Sequence, residues 1–148
     1  MSEESNIDLM LGEINSPEQL RAVLDQVDDV SIVSVIKAFG VSEVLGKIFH
    51  TMTERFIADH AEGTNASILW KIDVDGEIFL YHVDIANGTC TSSEGDFPGA
   101  RVAISLSLAD FLRLVSGQLN PISAFTERKL VVQGDLTFAM SIQNMFVI

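Results

Sequence analysis

Apolar residues recur with helical spacing in the first part of the chain, up to about residue 60. Ser16 and Pro17 are typical of a helix start, because Ser caps a helix and Pro suits its first position. The apolar stripe that follows consists of Leu20, Val23, Leu24 and Val27. A second helix is predicted over 31–39, ending at Gly40, and a third from Ser42 to about His60.

The spacing then changes to a period of two. Alternating apolar residues predict a strand with one buried face, formed by Ile68, Trp70, Ile72 and Val74. Asp75-Gly76 and Asn87-Gly88 are hairpin-turn signals, so three antiparallel strands are predicted in succession. A fourth strand is predicted over 101–106 and a fifth over 129–134. Helices followed by a meander with later helices predict an α+β fold rather than repeated βαβ units.

The later helices have recognisable caps. Ser107 precedes a helix predicted over 108–116, Asn120 precedes a turn that begins at Pro121, and Asp135 precedes a last helix predicted over 136–146. The last helix is apolar around almost its whole circumference and has no charged residue. A surface helix normally has a charged face, so this one must be covered on both sides. The sheet can cover one side of this helix. The other side must then be covered by a ligand, by the N-terminal helices or by a second subunit.

Composition limits the classes of partner. The 148 residues fit one domain, and 47% of them are hydrophobic although the formal net charge is -12. This acidity argues against binding to nucleic acid and to anionic lipid surfaces, which require clustered cations. No apolar run approaches the roughly 20 residues of a membrane span, so we expect no stable membrane insertion. A single cysteine and an acidic N-terminus without a signal-peptide pattern indicate a cytoplasmic protein.

Candidate catalytic and metal-binding residues are few. His50 and Glu54 share a helix face, but without a second ligand pair a polar flank is the better interpretation than a metal site. His82 and Asp84 share a strand face, as a base and its orienting carboxylate would, yet no nucleophile motif accompanies them. Cys90 has no nearby cation in sequence and is expected to be inert. We therefore predict no catalytic residue, no metal site and no cofactor.

A linked set of residues in the second half of the chain resembles one family. It comprises Asp110-Phe111-Leu112, Gly117, Leu119-Asn120-Pro121, Ala124-Phe125, Lys129-Leu130, Gly134-Asp135 and Ala139-Met140. This combination resembles the sterol carrier protein type 2 (SCP2) domain, and the resemblance extends from about Leu45 onward. Arg128 departs from the pattern, because the family often has Gly before the Lys-Leu pair.

The resemblance implies a five-stranded, largely antiparallel sheet covered by helices, with an apolar tunnel between the two layers. It also implies non-catalytic binding or transfer of lipids such as fatty acids, acyl-CoA or sterols. By position, the lipid-binding residues would be Phe111, Val115, Phe125, Ala139, Met140, Ile142, Gln143 and Phe146. On this basis residues 1–40 form an N-terminal helical extension and residues 41–148 the SCP2-like lipid-binding domain.

Two other classes of function remain open. In one, the domain is an accessory interaction module for an enzyme that acts on apolar intermediates, and the N-terminal helices contact that enzyme or a second copy of the chain. In the other, which we favour least, the chain is itself an enzyme that uses His82 or Cys90.

Overall fold

The computed structural model describes residues 25–26, 28–61, 63–142 and 145. The helix predicted after Ser16 therefore lies outside the described residues, apart from a turn at 25–26. Within the described ranges the chain forms helices, one 3₁₀ turn and a five-stranded sheet. The predicted α+β class is confirmed.

Two helices precede the sheet, α1 (Asp29–Phe39) and α2 (Val41–Glu54). The Asp28 carboxylate accepts a hydrogen bond of 2.7 Å from the backbone N–H of Ser31 and caps α1. Gly40, at a φ of 111°, ends α1 as predicted.

The predicted limits of α2 are wrong at both ends. Ser42 is not the cap, because Gly40 occupies the N-cap position and no side chain caps the helix. The helix ends at Glu54 rather than near His60, and a 3₁₀ turn follows at Ala58–Ala61. The N–H of Ile57 donates instead to the carbonyl of Met145, at 2.7 Å. This contact removes a donor that a continuing helix would need.

The sheet has the order β3-β2-β1-β4-β5. Its strands are β1 (Ala66–Val74), β2 (Glu77–Ala86), β3 (Thr89–Glu94), β4 (Val102–Ser107) and β5 (Leu130–Gly134). Only the β1–β4 pair is parallel, so the prediction of a largely antiparallel sheet is confirmed. Both predicted hairpin turns are also confirmed, with positive φ at Asp75 (52°), Gly76 (93°), Asn87 (54°) and Gly88 (75°).

Three short helices follow β4: α3 (Leu108–Val115), α4 (Pro121–Thr126) and α5 (Leu136–Ser141). The caps predicted at Ser107, Asn120 and Asp135 each accept a backbone hydrogen bond from the first turn. Helix α5 is described over Leu136–Ser141, and of the predicted continuation to 146, residues 143, 144 and 146 lie outside the described residues. Arg128 adopts a φ of 61° in the turn before β5, a conformation that favours the glycine of the family pattern.

Helices cover one face of the sheet, and the opposite face, here named the open face, carries buried Leu69 beside side chains that are partly or fully exposed. The alternation places Ile68, Trp70 and Ile72 on the covered face, where they are buried with Tyr81 and Val83 of β2. Helix α1 contributes Ile32, Val35 and Ile36 to the same core, and each is at most 3% exposed. On the open face Ile78 and Val131 are about half exposed.

Candidate functional site

Four aromatic rings meet between the covered face of the sheet and the helices. Phe49 of α2 stacks on Tyr81 of β2 and on Phe111 of α3, with ring centroids 4.8 and 5.1 Å apart. Trp70 of β1 lies edge-on to Phe111 at 5.6 Å and tilted against Phe49 at 6.2 Å. Such tilted and offset pairs are favourable arrangements for aromatic rings. This aromatic cluster (Phe49, Trp70, Tyr81 and Phe111) occupies the centre of the apolar interior.

Two members of the aromatic cluster carry polar groups, and their environments differ. The Tyr81 hydroxyl donates to the carbonyl oxygen of Ser42 at 3.1 Å. Burial raises the pKa of that hydroxyl, so it stays protonated and remains a donor at neutral pH. The Trp70 Nε1 is buried and has no hydrogen-bond partner among the residues that the structure describes. An indole N–H is a donor only, so an acceptor has to come from elsewhere.

The start of α5 is fixed by a compact set of contacts with Arg101. The Arg101 Nε donates to the Asp135 carboxylate at 3.0 Å, and its guanidinium lies 4.5 Å from the ring centre of Phe138. Hydrogen bonds from the Phe138 N–H and from Arg101 lower the pKa of Asp135. These contacts hold the first turn of α5 against the start of β4.

The predicted lipid-binding residues occupy three kinds of position. Phe111, Ala139 and Ile142 are buried within the core, whereas Val115 and Met140 are half-buried and pack against it. Phe125 is 37% exposed and does not join that core. Gln143 and Phe146 lie outside the described residues. The structure thus brings five of the eight positions to one apolar interior.

The comparison with known families identifies the domain. A family model described as the SCP-2 sterol transfer family matches residues 54–147. The chain belongs to this family. Membership of the SCP-2 sterol transfer family suggests lipid or sterol binding or transfer, and it confirms the resemblance drawn from the sequence.

Individual relatives agree with this membership. Human sterol carrier protein 2 is 36% identical over 70 residues, which are 47% of this chain and 13% of the human protein. The structure of palmitated SCP2L2 from Aedes aegypti matches with a TM-score of 0.57 at 17% identity, over 66% of this chain and 88% of that one. The sec-alkylsulfatase Pisa1 from Pseudomonas sp. matches with a TM-score of 0.61 at 18% identity, over 68% of this chain and 16% of that one. Each of the two structures shares its fold with this chain over the matched region.

The histidine pairs lie away from the aromatic cluster. His50 Nε2 is 2.9 Å from Glu54 Oε1, but both side chains are largely exposed on α2. On the open face of the sheet, Asp84 accepts from Ser67 Oγ at 2.6 Å and lies 2.8 Å from His82 Nδ1. Among the described residues, no group of three or more His, Cys, Asp or Glu side chains is placed to hold a metal ion.

Cys90 lies on β3, half-buried, and burial raises the pKa of its thiol to about 11. Nearby Asp84 acts in the same direction because its negative charge disfavours a thiolate. Since the thiolate is the reactive form, Cys90 is a poor nucleophile at neutral pH.

A cleft of about 370 Å³ lies at one end of the sheet, lined by Ala58, Asp59, Gly63, Thr64, Asn65, Asn87 and Gly88. None of the six predicted lipid-binding residues that the structure describes lines this cleft. Over the residues that the structure describes, no helix has the length and apolar character needed to cross a membrane.

Sequence patterns alone assign no functional role to Trp70, Tyr81 or Phe49. The period-two pattern did place Trp70 on the buried face, and an indole brings a polar N–H there. The sequence feature that could have indicated this role is therefore a tryptophan, an aromatic residue with a polar N–H, in the middle of an apolar strand. Only the three-dimensional contacts distinguish Tyr81, which is hydrogen-bonded to Ser42, from Trp70, which has no acceptor in the part of the chain that the structure describes.

Proposed function

We propose that this chain binds or transfers lipids without catalysing a reaction, and that it holds an apolar ligand between the covered face of the sheet and the helices. The observation that carries the proposal is the match of residues 54–147 to the SCP-2 sterol transfer family. The names of human sterol carrier protein 2 and of palmitated SCP2L2 support sterols and fatty acids as the ligand classes.

The proposed contacts are the eight predicted residues, Phe111, Val115, Phe125, Ala139, Met140, Ile142, Gln143 and Phe146. The driving force is burial of ligand methylene groups, about 0.8 kcal/mol each. A saturated chain of about 16 carbons would gain ~10 kcal/mol before the costs of ordering are subtracted. Half-buried Met140 suits such a site, because its flexible thioether adapts to the shape of an apolar ligand.

Native mass spectrometry of the purified full chain, followed by titration with palmitic acid and cholesterol, tests the proposal. We expect bound lipid or binding in the micromolar range. Met140→Gln should weaken palmitate binding about tenfold, because it places an amide on the apolar wall. The matched control is Val131→Gln, at a position that is 53% exposed on the open face, and it should leave palmitate binding unchanged. Absence of binding to both lipids, or equal binding by the two variants, would refute the proposal.

We further propose that the protein is cytoplasmic, that residues 1–40 are an extension of a lipid-binding domain at 41–148, and that this extension contacts a partner.

The alternative function is an accessory module for an enzyme that acts on apolar molecules. One observation favours it: the matched region is only 16% of the sulfatase chain, so the fold occurs within larger enzymes. Val30, 77% exposed on α1, is a suitable probe. Val30→Lys should reduce the mass of a self-complex or enzyme complex in light scattering while lipid binding is retained; an unchanged mass contradicts a contact at this position.

A further inference from the structure

We propose that the indole N–H of Trp70 donates a hydrogen bond to an oxygen of the bound ligand, so that the site selects apolar molecules with an acceptor group. This inference rests on the proposed function and deepens it. The ligand class is a lipid whose carboxyl, carbonyl or hydroxyl oxygen enters the interior beside β1, rather than a pure hydrocarbon.

The position of Trp70 supports this role. It lies in β1, the central strand, which is flanked by β2 and β4, and only 4% of the residue is exposed. Its ring neighbours in the aromatic cluster are Phe49 and Phe111, whose side chains have no acceptor oxygen. Water is excluded from a donor at this depth, and no residue in the described ranges accepts its hydrogen bond.

Tyr81 provides the comparison. It pairs with Trp70 across β1 and β2, so the two side chains enter the same interior from adjacent strands. Its hydroxyl is satisfied by the protein through the Ser42 carbonyl. Buried polar groups are almost always hydrogen-bonded, and an exception calls for a functional explanation. Within the described part of the chain Trp70 is such an exception, and it lies at the place where we propose that the ligand binds.

The competing explanation is a purely structural one. The Trp70 and Phe111 rings are inclined at 65°, and an N–H directed at an aromatic face is a weak hydrogen bond. In that case the presence of a polar group on the ligand would not change the environment of the Trp70 N–H. The two explanations predict different responses to ligands of the same length with and without oxygen.

The test compares dodecanoic acid with dodecane, using the full chain and two variants. Trp70→Phe removes the donor and keeps an aromatic ring, and Tyr81→Phe is the matched control, which removes a hydroxyl already paired within the protein. We expect Trp70→Phe to weaken dodecanoic acid binding about tenfold, equivalent to about 1.4 kcal/mol. It should leave dodecane binding unchanged. Tyr81→Phe should leave the preference for the acid unchanged.

A spectroscopic measurement on the unmodified protein is decisive even if Trp70→Phe fails to fold. The chain has one tryptophan, so a ¹⁵N-labelled sample gives a single indole N–H resonance. We expect a downfield proton shift with dodecanoic acid and a smaller one with dodecane. Equal shifts, or equal loss of both ligands in Trp70→Phe, would overturn the role of the N–H while leaving lipid binding intact. If the unmodified protein binds neither ligand nor any other lipid, the proposed function itself fails.

Discussion

Gly134 ends β5 at a φ of 107°, and its Cα lies close to the neighbouring strand. A methyl group added there would meet the carbonyl oxygen of Arg101 at 2.6 Å, where ordinary contacts begin at 3.4 Å. The same carbonyl accepts the N–H of Asp135 at 3.1 Å, so displacing it also disturbs the start of α5. We therefore expect Gly134→Ala to be strongly destabilising.

The magnitude has two parts, and a second glycine separates them. Gly76 has a φ of 93°, but a methyl group there would meet nothing within 4 Å. Gly76→Ala should thus show only the backbone strain of a left-handed residue, about 1–2 kcal/mol. Gly134→Ala adds the steric overlap with backbone, about 1–3 kcal/mol, for a total loss of about 2–5 kcal/mol.

Urea denaturation followed by tryptophan fluorescence measures both variants. The signal comes from Trp70 alone, which is buried in the core and becomes exposed on unfolding. The free energy of unfolding should fall further for Gly134→Ala than for Gly76→Ala, with a similar dependence on urea concentration. Equal losses in the two variants would show that the Arg101 backbone yields to the methyl group, and would refute the steric argument.

Three further predictions concern single side chains. Arg128→Gly should raise the free energy of unfolding by up to about 1 kcal/mol, because Arg128 has a φ of 61°; a lower urea midpoint would contradict this. Cys90, with a thiol pKa of about 11, should react slowly with iodoacetamide at pH 8 until urea unfolds the chain; fast native labelling would contradict burial. The pKa of Asp135 is lower in the folded protein than its ordinary value of 3.8, so its carboxylate stabilises the fold at pH values above 3.8. This stabilisation is lost as the pH falls through the lowered pKa of the folded state. Asp135→Asn should therefore be less stable than the wild type only at higher pH, whereas a pH-independent difference in unfolding free energy would be inconsistent with this linkage.

Local signals predicted most of the fold. The two hairpin turns depend on neighbouring residues with positive φ, which Asp75-Gly76 and Asn87-Gly88 supply. The caps of α3, α4 and α5 likewise depend on one side chain and the next few N–H groups. Features that depend on distant contacts were less accessible. The end of α2 is associated with a hydrogen bond between Ile57 and Met145, and a contact between residues so far apart in the chain is not predicted by any local sequence pattern.

The candidate site was predicted only as a set of apolar positions. Helical spacing and family position selected Phe111 and its neighbours, and the structure places most of the described ones in one core. Spacing does not distinguish a side chain packed in the core from one that faces a ligand, because both are apolar and inaccessible to water. The polar features of the interior were missed for a different reason. Whether the N–H of Trp70 or the hydroxyl of Tyr81 finds an acceptor depends on residues from other elements.

Because side chains alternate along each strand, Trp70, which is proposed to contact the lipid, and His82, which was considered for catalysis, lie on opposite faces of the sheet. Trp70 and Tyr81 point to the covered face, whereas His82 and Asp84, one residue out of phase with Tyr81, lie on the open face. A ligand held between the sheet and the helices would be separated from His82 by the backbone of β2. The His82–Asp84 pair therefore has no access to such a ligand, even though its geometry suits a general base. A catalytic role for His82 would require a different substrate bound on the open face, and so lipid binding and catalysis by this residue are independent hypotheses.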